Sequence, residues 1–531
     1  RVAQARTSTA ELQRPGSVFI TNPRRVLIAG AGDAGAMIVR ELKHNPGLGI
    51  NAVGFVDDDP LKQGMSAHGV PVVGTLADVG VMARKLGVSE VIAAMPTASG
   101  RVIRDLRRAC AQARVQFRTV PGIYELLDRP VQVGQLRDVR IEDLLRRDPV
   151  MTDQEGVSAY IRGACVLVTG AGGSIGSELC RQVARLGPSR LILLGHGEFS
   201  IYNIEREMRR SYPGVPVVPV IADVRDEKRV EAVVRRWKPD VIFHAAAHKH
   251  VPLMEHNVEE AFTNNVLGAR TVVDVAERCD VERFVLISTD KAVNPSSVMG
   301  ATKRVAEMVV QCSAARTGRR YVAVRFGNVL GSRGSAVPLF QEQIAAGGPV
   351  TVTDERMQRY FMTIPEAVQL VLQAAALGSG GEVFLLDMGE PVKIVDLVND
   401  LIELSGQRPG QDIEIVYTGI RPGEKLYEEL YLDHEDHGAT AHGKIYVLRH
   451  SVAALPRESV LMAEIDTIAR RAERFDRAGV IEGLQTLVPS YQPSEVASHD
   501  GRPDGLLATS LQPTCPFAEG AEIGMTDELR T

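Results

Sequence analysis

The densest run of chemically able side chains is Ser288-Thr-Asp-Lys-Ala-Val-Asn-Pro-Ser-Ser-Val-Met-Gly-Ala-Thr-Lys303. It follows an apolar strand-like run, 284–287, so Thr289, Asp290 and Lys291 fall at a strand's carboxyl end. Open parallel sheets bind their ligands there. A carboxyl and an amine beside a hydroxyl are equipped to move protons; the plainer alternative is a salt pair at a strand end. Twelve positions on, Lys303 shares a helix face with the residue four before it. That residue is Met299, whose thioether carries no proton.

These residues need a scaffold, and the chain announces two. The buried strand pattern 24–30 opens into Gly30-Ala-Gly-Asp-Ala-Gly35, and a second strand ends at Asp57. The run 163–168 opens into Thr169-Gly-Ala-Gly-Gly-Ser-Ile-Gly176, followed by a long amphipathic helix. Glycines in such turns let backbone approach a pyrophosphate, and the helix N-terminus supplies N–H donors. Further strands at 191–194, 217–221, 241–244, 284–287 and 321–325 alternate with helices, which specifies a doubly wound parallel sheet. The expected fold is therefore α/β, with two tandem Rossmann-like domains. The expected boundaries are a lead-in over 1–22, a first domain over 23–130, a linker over 131–160 that joins or docks the two, and a catalytic domain over 161–450. C-terminal helices should follow over 451–488, and a disordered Ser/Pro/Gly-rich tail over 489–531.

Composition excludes several classes. Of 531 residues, 44% are hydrophobic and 24% charged, an ordinary globular balance, and the net charge of −5 leaves no basic footprint for nucleic acid. Six cysteines are scattered without a CxxC pair, so neither a disulfide framework nor a metal site is expected, and a reducing compartment is. No run approaches the ~18 apolar residues of a membrane span.

The turn spacing resembles that of the extended short-chain dehydrogenases. In that family Gly170, Gly173, Ser174, Ile175 and Gly176 cradle the dinucleotide. His196 stands where the second strand commonly ends in a ribose-binding acid, Asp223 and Val224 flank the adenine, and Ala245 and Ala246 line the cofactor. A Tyr normally precedes the Lys by four residues; Met299 replaces it, which disfavours a plain reductase or a 4-epimerase relying on that Tyr. More specifically, the chain from about Arg24 to Tyr446 resembles the polysaccharide-biosynthesis (CapD-like) nucleotide-sugar 4,6-dehydratases. The resemblance rests on His248-Lys-His-Val-Pro-Leu-Met-Glu255, Arg325-Phe-Gly-Asn-Val-Leu-Gly-Ser-Arg-Gly-Ser335, Val337-Pro-Leu-Phe340, Arg359-Tyr-Phe-Met-Thr363 and Arg421-Pro-Gly-Glu-Lys-Leu426.

The resemblance implies conversion of UDP-N-acetylglucosamine to a 4-keto-6-deoxy sugar with NAD or NADP tightly bound and recycled. His196 in place of an acid leaves the choice between the two open. Lys291 is then the expected base for the C5 proton, provided burial or neighbours lower its pKa toward working pH, and Asp290 the acid for the C6 hydroxyl. Lys303 would hold the nicotinamide ribose, and the 4-hydroxyl proton would leave through Thr289 backed by Asp290, or through water. Substrate would meet Lys249, Asn328, Arg333, Val337 and Arg421. The resemblance also implies a homo-oligomer and, in longer members, a membrane anchor ahead of the first Rossmann domain. That would place the full-length protein at the cytoplasmic face of the inner membrane. Two other functions stay open: a UDP-sugar 4-epimerase, and a non-catalytic sugar-nucleotide sensor.

Overall fold

The computed structural model describes residues 23–122, 132–145, 153–431, 436–449 and 456–493. The lead-in over 1–22 and the tail beyond 493 fall outside them. Strands buried on both faces read as continuous apolar runs, and the runs found in the sequence all form strands. In the first domain the seven-stranded sheet runs Ser66–Ala67, Val70–Gly74, Ile50–Val56, Arg24–Ala29, Glu90–Ala93, Gln116–Thr119, Arg137–Asp138. The glycine turn leaves Arg24–Ala29 at the point where strand order reverses.

The second sheet has nine strands. Its order is Val217–Ile221, Arg190–Gly195, Cys165–Thr169, Val241–His244, Arg283–Ile287, Arg320–Arg325, Val383–Leu386, Ile445–Arg449, Asp436–Ala439. Pairing is parallel through Val383–Leu386 and antiparallel beyond it. Cys165–Thr169 and Val241–His244 flank the switch point, so Gly170–Gly176 and Ala245–Ala246 meet in the crevice where such folds bind nucleotides. Next to them, the loop after Arg283–Ile287 delivers Thr289, Asp290 and Lys291.

Helix Val298–Thr317 carries Met299 and Lys303. It starts at Ser297, whose Oγ accepts the Gly300 N–H at 3.1 Å, and stops at Gly318 with φ +68°. Buried side chains surround it almost completely, because the C-terminal helices Glu458–Glu473 and Arg477–Leu487 close its outer side and join the same apolar core.

Order extends further than expected at one boundary, and at the other the linker docks as well as joins: Arg137–Asp138 adds an antiparallel edge strand to the first sheet. Helix Ile141–Leu144 buries Ile141 and Leu144 in one apolar cluster with Leu27 and Val91 of the first domain and Val337, Phe340, Leu397 and Leu401 of the second. Arg104 bonds Asp400 across the same seam at 3.0 Å. Nor does order end at 488. Tyr491 is 2% exposed and the Gln492 N–H donates to Pro295 O at 3.0 Å, strapping the chain end to the catalytic loop.

Burying each such Leu, Ile or Phe is worth about 1.5–3 kcal/mol, so the shared cluster couples the domains. A chain beginning at Met151 should therefore melt at least several degrees below the whole chain and bind a hydrophobic dye. Equal melting temperatures would show that the seam contributes nothing.

Candidate active site

Gly170 has φ +64°, and a Cβ there would sit 2.8 Å from Ala245 O and Ala246 N. A Cβ on Gly176 would run into Gly170 O. Turn, strand end and helix start are thus pressed into backbone contact, as close approach to a pyrophosphate requires. Helix Ser174–Arg185 begins at Gly173 with no side chain capping its N–H groups, so the donors and the dipole are left for an anion. Ile175 packs on the core beneath. These residues fit a dinucleotide.

At the far end of the crevice the Asp223 carboxylate takes Arg225 at 2.7 Å, and Arg225 also pairs with Glu260 at 2.9 Å. The Arg225 bonds hold Asp223 below the ordinary carboxylate range, with charge from nearby His196 adding to the effect. Val224 is buried, and a Cβ on Gly268 would lie 2.8 Å from its Cγ2. His196 is exposed beside Asp223. No carboxylate ends the second strand, so the sequence departure stands.

Around Lys291 the charges crowd. Its Nζ lies 3.0 Å from Asp290 Oδ1, 3.1 Å from Asn328 Oδ1 and 3.4 Å from Glu428 Oε1. Glu428 in turn lies 3.5 Å from Arg359 Nε. The Thr289 hydroxyl donates to Asp290 Oδ1 at 2.8 Å. Burial by itself would lower the Lys291 pKa, but the Asp290 and Glu428 carboxylates outweigh it and hold the amine above its ordinary value. Its two carboxylate neighbours thus hold the amine in its charged form. Asp290 is 1% exposed, and its Oδ2 has no hydrogen-bond partner among the described residues.

Beneath this cluster lies a buried ion pair. Glu307, on the Lys303 helix, takes Arg325 Nε and Nη2 at 2.8 Å each and the Ser288 hydroxyl at 2.6 Å. Both side chains of the pair are 0% exposed. Despite burial, Arg325 first and then Arg304 and Ser288 pull the Glu307 pKa down to about 2. Met299 is 3% exposed and packs in the core, while Lys303 is 5% exposed and its amine is held by burial down to about 8. His244, bonded to Thr169 Oγ1 at 2.9 Å, is pushed by burial and by Lys303 down to about 3 and so stays neutral.

The expected substrate residues scatter. Lys249 donates to Ser332 Oγ at 3.2 Å, and burial lowers its pKa. Asn328 stands on Lys291. Arg333 reaches the other turn instead: its Nη1 donates to Gly172 O at 2.9 Å and its backbone N–H to Ser174 Oγ at 3.0 Å. The guanidinium thus sits on the dinucleotide turn rather than apart from it. Val337 is a correction, since at 3% exposure its side chain belongs to the interdomain core. Arg421 is exposed and paired with Glu424.

Glu428, Arg359 and Asn265 were missed. Asn265 sits in a π-helical turn, Thr263–Leu267, a geometry frequent at functional sites. It accepts the His248 N–H at 2.8 Å and donates to His248 O and Thr302 Oγ1 at 3.1 Å each, tying the fourth-strand loop to the Lys303 helix. Only Arg359 and the segment before Glu428 carried a signal, as parts of resemblance motifs.

A Rossmann sheet with an uncapped glycine turn, a buried Lys on the helix after the Thr289–Lys291 loop and a polar cluster at the strand ends defines a short-chain dehydrogenase-type nucleotide-binding protein. A polysaccharide biosynthesis protein family model matches residues 166–450, and a CoA-binding domain model matches residues 6–121. The capsular polysaccharide biosynthesis protein CapD of Staphylococcus aureus is 50% identical over 434 residues, covering 81% of this chain and 72% of the relative. The probable polysaccharide biosynthesis protein EpsC of Bacillus subtilis is 49% identical, covering 87% and 77%. The solved structure of Pen from Bacillus thuringiensis aligns with a TM-score of 0.51 at 31% identity, covering 55% of this chain and 88% of that one. The chain belongs to the CapD-like polysaccharide biosynthesis family.

Removing one partner of a buried ion pair costs about 3–5 kcal/mol. Glu307→Ala should destabilise the fold by that order. Because its folded pKa lies below the ordinary 4.5, the stability Glu307 contributes is present above pH 4.5 and lost as pH falls toward about 2. Chemical denaturation against pH checks both; parent-like, pH-independent stability of the variant would refute the role.

Proposed function

We propose that this protein is a nucleotide-sugar 4,6-dehydratase acting on UDP-N-acetylglucosamine in surface polysaccharide synthesis. The single observation that carries it is the Thr289–Asp290–Lys291–Glu428 cluster beside a dinucleotide crevice whose Tyr position is Met299. Proton-moving groups are supplied at the strand ends, where elimination needs them, and not where simple carbonyl reduction does. In support, a UDP-N-acetylglucosamine 4,6-dehydratase (inverting) of Campylobacter jejuni is 32% identical over 302 residues, 56% of this chain and 86% of that one.

Gly170, Gly173 and Gly176 would hold the pyrophosphate of NAD or NADP, Arg333 would close over it, and Ala245 and Ala246 would leave room beside it. The bound nicotinamide supplies an acceptor for hydrogen from C4 and its donor at C6, ending unchanged. Lys303 would hold the ribose, its charge drawn toward neutrality by burial. Thr289 would orient the C4 oxygen and pass its proton to Asp290. Lys249, on Ser332, would meet the sugar nucleotide at the mouth.

Incubation with UDP-N-acetylglucosamine and mass spectrometry test the reading. The product should lack one water, without reduced cofactor accumulating in step with it. An epimer of unchanged mass would make the protein an epimerase, and no conversion would favour a sensor. Gly176→Val should abolish both cofactor retention and turnover, since its side chain would enter the turn; a variant that retains cofactor refutes the cradle.

A further inference from the structure

The segment 292–297 joins the Thr289–Lys291 loop to the helix of Met299 and Lys303. It has no slack. Gly300 lies directly behind Lys291: a Cβ there would fall on Lys291 O and come 3.3 Å from Pro295 Cβ. Asn294 is held at φ +38°, a left-handed conformation that a residue other than glycine keeps only where its surroundings impose it. Three parts of the chain distant in sequence do so. From the first, Glu429 Oε2 accepts from Asn294 Nδ2 at 2.7 Å, Lys425 Nζ donates to Val293 O at 3.2 Å, and Gly423 O accepts from Ser296 Oγ at 3.0 Å. From the second, Glu255 Oε1 accepts the Val298 N–H at 2.7 Å. The third is the chain end, where the Gln492 N–H donates to the buried Pro295 O at 3.0 Å. The Gln492 side chain is exposed, so this contact belongs to its backbone. What places it is Tyr491, 2% exposed, which joins Leu484, Leu487 and Val488 in the apolar cluster that contains Met299. Arg270 on Asp466 at 2.6 Å and Arg316 on Glu458 at 2.8 Å fasten the C-terminal helices to the catalytic domain.

Resting on the dehydratase reading, we propose that Gln492 is a positioning residue: its backbone N–H, anchored through Tyr491, holds Pro295 so that Lys291 and Lys303 stay in register. Without that donor a buried carbonyl is left unpaired, and Asn294 is free to relax toward negative φ. The segment then shifts. Because Gly300 lies against Lys291 O, the loop and the start of the Lys303 helix move with it. The glycine turn and Arg333 do not touch the strap, so the dinucleotide keeps its place while Lys291 moves relative to it. A misplacement of about 1 Å, caused far from the chemistry, can cost ~10²-fold in rate.

Gln492→Pro removes the N–H and leaves the rest of the chain in place. With UDP-N-acetylglucosamine it should lower kcat by about 10- to 100-fold, while KM, cofactor retention and melting temperature stay those of the parent. Gln492→Ala keeps the N–H and should restore the parent rate. A parent-like kcat in Gln492→Pro, or an equal loss in Gln492→Ala, overturns the proposal. So does a joint loss of kcat, cofactor retention and melting temperature, which marks a merely structural contact. If Gln492→Pro does not fold, amide hydrogen exchange in the full parent chain decides. The Gln492 N–H should be protected and exchange together with those of Val298 and Gly300; exchange at the rate of a free chain end overturns the strap. Should the parent form no dehydrated product, the dehydratase reading falls by itself, and the same exchange measurement still tests the strap.

Discussion

The site depends on one buried ion pair. Glu307 and Arg325 are both fully buried, and the Ser288 hydroxyl is bonded to the same carboxylate. Three elements converge there: the strand end that carries Thr289–Lys291, the helix that carries Met299 and Lys303, and the adjoining strand that leads to Asn328. Sliding any one against the others would leave a charge buried without its partner, so their relative register is fixed. The upper cluster of Asp290, Lys291, Glu428 and Arg359 then has only side-chain freedom left. Two carboxylates and two cations balance there, which allows four charges to sit together out of bulk water.

The same packing explains what Met299 permits. A tyrosine at that position would share a helix face with Lys303. Met299 instead fills apolar space in the core, and Lys303, with no carboxylate at contact distance among the described residues, is driven by burial toward neutrality. Proton traffic is displaced from the helix to the strand-end loop, and the first domain buttresses the loop from behind. Leu330 packs into the interdomain core while Asn328, Ser332 and Arg333, on the same loop, face Lys291, Lys249 and the glycine turn.

Both sheets were legible because parallel strands buried on two faces are written as unbroken apolar runs, and because each nucleotide turn needs glycines at set positions. Thr289, Asp290, Lys291 and Lys303 were legible for the same reason: a strand end fixes where its next residues point. Glu428 was not. It reaches Lys291 from a loop far along the chain, and no local pattern of apolar residues encodes that contact. Lys291 is held charged by Asp290 first and by Glu428 after it. Val337 was misread for another reason: it faces a second domain, and periodicity tells that a face is buried, not what buries it. In the first domain Asp57, at the end of its second strand, accepts the Ala31 N–H at 2.7 Å and braces the first turn.

Whether the sugar meets the strand-end loop is the hinge of the whole account. A crystal structure of the protein with its dinucleotide and UDP-N-acetylglucosamine reads it directly. The account predicts C4 beside Thr289, C5 and C6 over the Asp290–Lys291 loop, and the nicotinamide ribose on Lys303. A sugar bound away from that loop, or a dinucleotide away from the Gly170–Gly176 turn, would contradict it.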